Sequence, residues 1–430
     1  MGLRERERDP SLPEQAGEAH LRPPSEAELV ELADAHLRRP DAPALTGARW
    51  DYARWKPGVS ITSVFTVRFA DGAEEAVVAK RYVDGKERTL TFRPRNEENL
   101  EELCVRLKPR ALLAERSLSL WVPPADRVLR GLPVLLDRRK LGGLVTRSGI
   151  APAGSVKKRK TEYALLRYKP ERRAVYRLGL RLRGEGKPTL ALAARALPPA
   201  EAARVIAART AFEAAGGREF APPMAATNLR QGFLLEPWLA LAAPAPDIFA
   251  HAREAGALLA RLHALAPSPE LRAVPTGHSS DLDELFAVDA ELARLPRAAP
   301  HPRARRLVSC HGDFHPDQVV RLADGRWFLM DLDLLAAGDP AFDLANWIAD
   351  WIVERERLDL AAAADELLAG YRSAGGTPPE HTHLAACTAA ELVSRAGSTL
   401  RRLEKGAVEK ARFALGAAWE IQGDRASALG

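Results

Sequence analysis

Short apolar runs bounded by turn residues alternate between residues 307 and 345. The apolar runs are 307–310, 319–322 and 327–330. Asp324-Gly325 lies between the last two runs, and an Asp-Gly pair in that setting is the strongest short-range sign of a β-hairpin. If these two residues form the turn, the register places Gln318 directly opposite Asp331.

This register predicts a cluster of oxygen-bearing side chains. Opposed side chains of a hairpin have Cβ atoms about 4.5–5.5 Å apart, so the amide of Gln318 and the carboxylate of Asp331 could share one cation. Asp313 lies five residues before Gln318, on the loop that enters the hairpin. Such oxygen ligands suit Mg²⁺, which also binds substrate phosphates. Because an acid beside a turn is more often a cap or a turn former, register alone leaves an ordinary hairpin open as well.

A second pattern is an internal repeat. Residues 54–69 and 167–182 align at an offset of 113, with Arg, an aromatic residue, Lys and Pro in the same order at the start. Each copy continues through a polar, glycine-containing turn into a third apolar run. We therefore predict the same three-strand meander twice.

The two copies differ where the third strand ends. The first copy ends this strand in Lys80. The equivalent residue of the second copy is Ala193 without a gap, or Ala194 or Arg195 with a gap of one or two residues.

The second copy is also the more basic one. Residues 157–183 contain eleven Lys or Arg and two Glu. A run of charge is usually a solvated face, and this remains the default interpretation. The segment 169–173 is predicted to be the tip between two strands, where it could clamp a polyphosphate. Binding of nucleic acid or another polyanion ranks last, because no aromatic platform accompanies the basic run.

Helical spacing dominates the rest of the chain. Ser25 and Glu28 form a capping-box pattern ahead of the first predicted helix. The predicted helices are 25–37, 199–215, 247–265, 282–294, 340–357, 361–373 and 384–420, the last as one helix or two. Residues 233–238 are predicted to form a strand. The order of elements predicts an α+β protein with two lobes.

Composition narrows the class further. The chain has 430 residues, of which 46% are hydrophobic and 28% charged, as in ordinary globular proteins. Its three cysteines have neither zinc spacing nor a disulfide pattern, which favours a cytoplasmic location. Neither a membrane span nor a signal peptide is expected. The net charge of +6 does not by itself indicate nucleic acid, and the oligomeric state stays open.

The motifs of 311–345 resemble those of the aminoglycoside phosphotransferase and choline kinase family, which has a protein-kinase-like fold. The matching residues are His311-Gly312-Asp313, Gln318, Asp331 and the segment Gly-Asp-Pro-Ala-Phe-Asp-Leu-Ala at 338–345. The resemblance implies an α+β, bilobal protein-kinase-like fold with an antiparallel β N-lobe and a mainly α C-lobe, preceded by an extra N-lobe-like domain. The implied parts are a mobile tail at 1–24, the extra domain at 25–150, the N-lobe and hinge at 151–238, and the C-lobe at 239–430.

The resemblance also implies an activity. The protein would be an ATP-dependent kinase that uses Mg²⁺ and phosphorylates a hydroxyl of a small molecule. Asp313 would be the catalytic base, Gln318 and Asp331 would hold the metal ion, and Asp333 would assist them. Asp343 would brace the catalytic loop from the start of a helix.

The implied nucleotide-binding residues lie earlier in the chain. The strand that contains Glu236 would be the hinge that meets adenine through its backbone, and Arg172 and Arg173 would meet phosphates from the hairpin tip. Arg195 would replace the usual lysine of the third strand, with Glu201 or Glu213 as its partner.

Two departures from the family pattern support an alternative hypothesis about the function. Gln318 stands where the family has Asn, and the second copy lacks the lysine, although Lys80 of the first copy could reach across. The alternative is a pseudokinase, a nucleotide-binding or scaffolding module without phosphoryl transfer.

Overall fold

In the computed structural model, residues 7–83, 97–184, 189–274, 282–294 and 302–427 are described, except for the side chains of 97–99 and 424–427. The chain forms two compact units. The first comprises 1–203, 224–238 and 401–405, and the second comprises 204–223, 239–400 and 406–430. The predicted boundary after residue 238 is also a boundary between the units.

The first unit is rich in strands. Its helices are α1 (Leu12–Gln15), α2 (Glu26–His36), α3 (Glu97–Leu103), α4 (Leu132–Leu136), α5 (Arg138–Arg147) and the start of α6 (Pro199–Ala214). Its strands are β1 (Leu45–Lys56), β2 (Ser60–Phe69), β3 (Glu74–Tyr82), β4 (Arg110–Leu113), β5 (Leu118–Trp121), β6 (Glu162–Lys169), β7 (Arg173–Arg181), β8 (Thr189–Ala196), β9 (Ala226–Asn228) and β10 (Phe233–Pro237). The predicted cap of α2 is present, because the side chain of Ser25 accepts a hydrogen bond from the Glu28 N–H.

Two antiparallel sheets in this unit have the same topology. Their strand orders are β1-β2-β3-β5-β4 and β6-β7-β8-β10-β9. Thr62 lies opposite Lys80 in the first sheet, and Val175 lies opposite Arg195 in the second. Because Thr62 and Val175 are separated by the repeat offset, Arg195 is the counterpart of Lys80. The duplication is thus confirmed, and it extends from three strands to five.

One hydrophobic core runs through both copies. It includes Phe65 and Val78 of the first sheet together with Leu178 and Leu192 of the second. Residues 25–150 therefore lie in the same compact unit as 151–203 and 224–238, because the apolar faces of the two sheets are buried together, whereas 204–223 belong to the second unit.

The predicted mobile tail is wrong for residues 7–24. Leu12 and Leu21 are fully buried, and the Asp9 N–H donates a hydrogen bond of 2.8 Å to the carbonyl oxygen of Leu403. Burial of two leucines holds this segment in place. Residues 1–6 of the predicted tail lie outside the described residues.

The second unit is mainly helical and contains the rest of α6. Its other helices are α7 (Ala252–Ala264), α8 (Leu282–Phe286), α9 (Ala290–Arg294), α10 (Pro340–Arg355), α11 (Leu360–Ser373), α12 (His381–Arg401) and α13 (Ala407–Ser427). Its strands are β11 (Arg272–Ala273), β12 (Val308–Cys310), β13 (Val319–Arg321), β14 (Trp327–Leu329) and β15 (Ala336–Gly338). The α+β class, with one antiparallel β-rich unit and one mainly α unit, is confirmed.

One predicted helix differs in detail from the structure. The helix expected over 282–294 is divided into α8 and α9, whereas the segment 384–420, predicted as one helix or two, forms α12 and α13. Between α12 and α13, Leu403 and Gly406 have φ of +54° and +71°, which is left-handed backbone that ends a helix. Among the described residues, no helix is both long enough and apolar enough to cross a membrane.

Helices α7 and α11 pack closely, and this packing positions residues near the site. A Cβ on Gly256 would lie 1.9 Å from the Leu367 carbonyl oxygen, and one on Gly370 would lie 1.8 Å from that of Arg253. Only glycine at these two positions lets the helix backbones approach so closely. The crossing brings His263 of α7 to Tyr371 of α11.

Candidate functional site

The β13–β14 hairpin has a different register from the predicted one. The pairs are Val319–Leu329, Val320–Phe328 and Arg321–Trp327. The loop consists of three residues and ends in Gly325 with φ of +89°, as in a turn followed by a left-handed residue. The Met330 N–H donates a hydrogen bond of 2.8 Å to the carbonyl oxygen of Gln318. The prediction that Gln318 opposes Asp331 is wrong by one residue, because Asp324-Gly325 is not a two-residue turn.

Asp331 reaches the site by a change of backbone direction. It has φ of +54° and ψ of +49°, a left-handed conformation that costs energy in a residue with a side chain. A short 3-10 turn over Leu332–Leu334 follows and contains Asp333, which is buried. Strained backbone of this kind is concentrated at functional sites.

The predicted catalytic loop is tied to Asp343 near the start of α10. The carboxylate of Asp343 accepts hydrogen bonds from the N–H groups of His311, at 2.7 Å, and Gly312, at 2.9 Å. Its Oδ2 also lies 3.1 Å from Nε2 of His263, whose Nδ1 lies 2.8 Å from the Tyr371 hydroxyl. The prediction that Asp343 braces this loop is confirmed, and the buried His263 ring has a hydrogen-bond partner at each nitrogen.

Electrostatic interactions keep the Asp343 carboxylate, which braces the loop, ionised. Complete burial by itself would raise the pKa of Asp343, but the hydrogen bond and charge of His263, with His311 and the Gly312 N–H, hold that pKa below its ordinary value. Burial raises the pKa of Tyr371 to about 12, so its hydroxyl stays protonated. The brace is therefore a carboxylate with donors on every side.

Only glycine fits the backbone conformation and the space at position 312. Its φ is +82°, and a Cβ would lie 2.3 Å from the carbonyl oxygen of Leu334. The His311 ring Nε2 lies 2.9 Å from the Met330 carbonyl oxygen. The loop thus contacts the end of β14 directly, which places Asp313 beside the segment that contains Asp331.

His315 connects two predicted site residues and was missed by the sequence analysis. The Gln318 side-chain amide donates a hydrogen bond of 2.9 Å to His315 Nε2, which lies 3.9 Å from Asp313 Oδ2. Burial lowers the pKa of His315, although Asp313 partly opposes the shift, so the neutral ring can accept this bond. Its position between Asp313 and Gln318 was the signal that could have identified it.

The three carboxylates are not gathered at one point. Among the described His, Cys, Asp and Glu side chains, one group of three has ligand atoms within 4.8 Å of one another, and it is His263, Cys310 and Asp343. Those residues form the brace; burial and nearby carboxylates raise the pKa of the Cys310 thiol well above its ordinary value. Asp313, Asp331 and Asp333 do not form such a group.

In the first unit, Arg195 forms a buried ion pair that the sequence analysis did not predict. Its guanidinium lies 2.7 Å from the carboxylate of Glu236, on the neighbouring strand β10, and both side chains are buried. Glu213 pairs with Arg209 and Arg218. The antiparallel register of β8 and β10 brings Glu236 close to Arg195, and this carboxylate was not among the predicted partners, Glu201 and Glu213.

The hairpin tip is held by the first copy of the repeat. Glu171, with φ of +60°, lies between β6 and β7 and pairs with Lys80 at 2.5 Å. Its N–H donates to the buried carboxylate of Asp126, at 2.8 Å. Lys80 thus does reach across to the second copy. The adjacent Arg172 is exposed and Arg173 half-buried.

Residues 171–377 match the model of the phosphotransferase enzyme family. A search of curated proteins finds no match. Among solved structures, the chain is similar to an ethanolamine kinase of Plasmodium vivax, with 10% identity, a TM-score of 0.43, and coverage of 65% of this chain and 88% of that one.

Two bacterial structures are similar to the same extent. The choline kinase LicA of Streptococcus pneumoniae has 13% identity and a TM-score of 0.41, with coverage of 65% of this chain and 99% of that one. The macrolide 2'-phosphotransferase MphH of Brachybacterium faecium has 17% identity and a TM-score of 0.41, with coverage of 64% and 97%.

The family match includes the loop that Asp343 braces. Over residues 171–377 the chain has the features of the phosphotransferase enzyme family, and the resemblance predicted from its motifs is confirmed. The matched range includes β7, β8, β9 and β10 of the second sheet, the braced loop, and α10 and α11, whereas β6 and the first sheet lie outside it.

Proposed function

We propose that this protein is an ATP-dependent kinase that phosphorylates a hydroxyl group of a small molecule. The observation that carries the proposal is the loop from His311 to Gln318, which the buried Asp343 carboxylate holds by two backbone hydrogen bonds. A loop that is tied down so firmly can position Asp313, whose side chain is about half exposed. Positioning supplies most of the catalysis in phosphoryl transfer.

Asp313 is assigned the role of base. Its carboxylate would accept a hydrogen bond from the acceptor hydroxyl, orient that oxygen and take its proton as the new O–P bond forms. His315 lies 3.9 Å from Asp313 and is neutral, so it leaves the negative charge of this carboxylate in place.

Gln318, Asp331 and Asp333 are assigned to the metal ion. Among the described residues none donates a hydrogen bond to Gln318 Oε1, although the side chain is 4% exposed. A carbonyl oxygen without a donor among the described residues, together with two carboxylates, is a set of ligands that Mg²⁺ accepts. The amide nitrogen of Gln318 donates a hydrogen bond to His315. The amide oxygen of this longer side chain therefore lies on the side away from His315. When bound, Mg²⁺ would neutralise charge on the transferring phosphate.

The first unit supplies the groups that we assign to the nucleotide. Glu236 and Pro237 of β10 pair with β8, whereas the described pairing with β9 ends at Leu235. The backbone edge at Glu236 is thus suited to hydrogen bonds with adenine. Arg172 and Arg173 would contact phosphates from the hairpin tip, and Arg195 would add charge behind them.

A Mg²⁺-dependent turnover assay tests this function. ATP consumption and product mass would be measured against amino sugars, sugars and amino alcohols. Asp313→Asn should lower kcat about 10²–10⁴-fold. Asp317→Asn, which removes an exposed carboxylate of the same loop, should stay within about twofold of wild type. Equal inertness of wild type and Asp313→Asn on every acceptor would contradict the proposal.

The second candidate is a pseudokinase. It is favoured by Arg195, which stands in place of a lysine and is buried against Glu236. Arg and Lys are not interchangeable at a phosphate. A pseudokinase would bind ATP in a calorimeter and form no phosphorylated product with any acceptor. One Mg²⁺-dependent phosphorylated product would eliminate it.

A further inference from the structure

A basic cavity lies at the end of the second sheet that is opposite the hairpin tip. Its volume is about 540 Å³. The cations that line it are Arg138, Lys157, Arg159, Lys160 and Arg181. Glu162 and Thr161 complete the wall. The cavity therefore concentrates five positive side chains around one carboxylate.

The wall is built from backbone that is held in place. The Lys157 N–H donates a hydrogen bond of 2.8 Å to the carbonyl oxygen of Arg181 at the end of β7. The Arg138 guanidinium, at the start of α5, donates one of 3.2 Å to the carbonyl oxygen of Arg159. A 3-10 turn over Lys158–Lys160 presents the middle cations. The end of β7, the 3-10 turn and the start of α5 thus all border the cavity.

Positive charge exceeds negative charge among the described residues of this wall. In the described part of the chain, no ion pair joins any of the five cations to a carboxylate. Confined like charges repel each other, and a bound anion would relieve this repulsion. Thr161 is 2% exposed, and its Oγ1 has no hydrogen-bond partner among the described residues. A buried hydroxyl without a partner is unfavourable, so this wall also contains an unmet polar group.

We propose that this cavity binds a small anion that carries two or more phosphate groups. The volume lies in the range of small-molecule pockets, and Lys and Arg on three elements can surround a compact anion. Single-stranded nucleic acid is disfavoured because its binding uses aromatic side chains for stacking, and none lines this cavity in the described structure. The site is separate from the proposed catalytic loop, which lies in the second unit.

Binding of inorganic triphosphate to the full chain tests the proposal. Isothermal titration in Mg²⁺-free buffer would give the affinity, and hydrogen exchange of the amides of 157–162 would give the location. The variant Arg159→Gln/Arg181→Gln should bind at least about tenfold more weakly. Arg139→Gln removes an exposed cation next to Arg138 that does not line the cavity, so it should bind like wild type.

Further experiments distinguish this proposal from the proposed kinase activity. Asp313→Asn should lower kcat about 10²–10⁴-fold while the triphosphate-induced protection of 157–162 stays unchanged. Arg159 is exposed, so the single variant Arg159→Gln serves as well if the double variant unfolds. The proposal is overturned if triphosphate fails to protect 157–162, or if Arg139→Gln weakens binding as much as the double variant. Tighter binding of a 20-base-pair DNA duplex to the same amides at equal salt would also overturn it, in favour of a nucleic-acid surface.

Discussion

Lys80 and Arg195 stand at the same position of two five-stranded sheets with the same strand order. Lys80 pairs with Glu171 at the hairpin tip of the other sheet, and Arg195 pairs with Glu236 on the neighbouring strand of its own sheet. Duplication kept a cation at this position, but the surroundings of each copy selected the carboxylate. The first copy consequently supports the tip that we assign to phosphate binding.

Loss of Lys80 should loosen this tip. In Lys80→Met, Glu171 would keep its hydrogen bond to Asp126 but lose a mostly buried cation, which should cost about 1–3 kcal/mol of unfolding free energy. Urea unfolding at neutral pH measures the change. Arg127→Gln is the matched control, because Arg127 pairs with the same carboxylate at 3.6 Å and is 47% exposed. Its cost should be about 0–1 kcal/mol, and equal costs for both variants would contradict the interpretation.

Arg195 and Glu236 should depend on each other. Arg195→Met alone would leave the Glu236 carboxylate buried beside its missing partner, at a cost of about 3–5 kcal/mol. The double variant Arg195→Met/Glu236→Leu should recover most of that loss, since apolar replacement of both partners removes the uncompensated charge. Urea unfolding of the two single variants and the double variant completes the cycle. Additive losses would show that the pair is not coupled.

Neutralising Asp343 should release the catalytic loop. Asp343→Asn keeps the shape but places an amide N–H where the backbone donors of His311 or Gly312 point, so unfolding free energy should fall by about 3–5 kcal/mol. The lowered pKa of Asp343 means that its contribution is complete above the unfolded value of about 3.9 and disappears as pH falls through the folded value. Unfolding measured from neutral to acid pH should show this acid-side loss in wild type. A variant that lost stability in parallel with wild type would contradict the assignment.

The Gln318–His315 hydrogen bond makes a prediction about pH. Burial lowers the pKa of His315, so the folded state favours the neutral ring and this contribution to stability declines as pH falls below about 6.5. Gln318→Glu would place a carboxylate beside Nε2 and should raise the pKa of His315. NMR titration of the imidazole measures both forms. An unchanged pKa in the variant would show that Gln318 does not contact this ring.

Lys169, at the end of β6, should destabilise the protein at neutral pH. Burial first, and the arginines around it second, lower its pKa to about 7. The unfolded chain keeps its proton up to a pH of about 10.4, so stability should rise between these two values as pH rises. Lys169→Met should therefore raise the thermal midpoint at pH 7 and raise it less at pH 10. Lys108→Met removes an exposed lysine and should change neither value.

Local features were predicted well because they depend on neighbours in the chain. The cap at Ser25, the start of α6 at Pro199 and the Asp339-Pro340 start of α10 each follow from one or two residues. The repeat was visible because matched strands need matched apolar patterns. The motif from His311 to Asp343 pointed to a braced loop, which the hydrogen bonds of Asp343 confirm.

Long-range choices were not predictable in the same way. A single left-handed residue, Gly325, lengthened the hairpin loop and shifted every pair that follows. Another, Asp331, turned the chain out of β14 before the predicted pairing could form. The partner of Arg195 depends on which strand lies beside β8, and that strand comes some forty residues later in the chain.

Sequence alone thus determined the elements, the duplication and the chemistry of the loop, because these are set by periodicity and by contacts within a few residues. Tertiary structure decided which charges meet, that both sheets share one core, and that the segment around Leu12 is buried. The physical reason is that burial and ion pairing depend on distances through space, and a change of one residue in a turn alters those distances without altering any local preference.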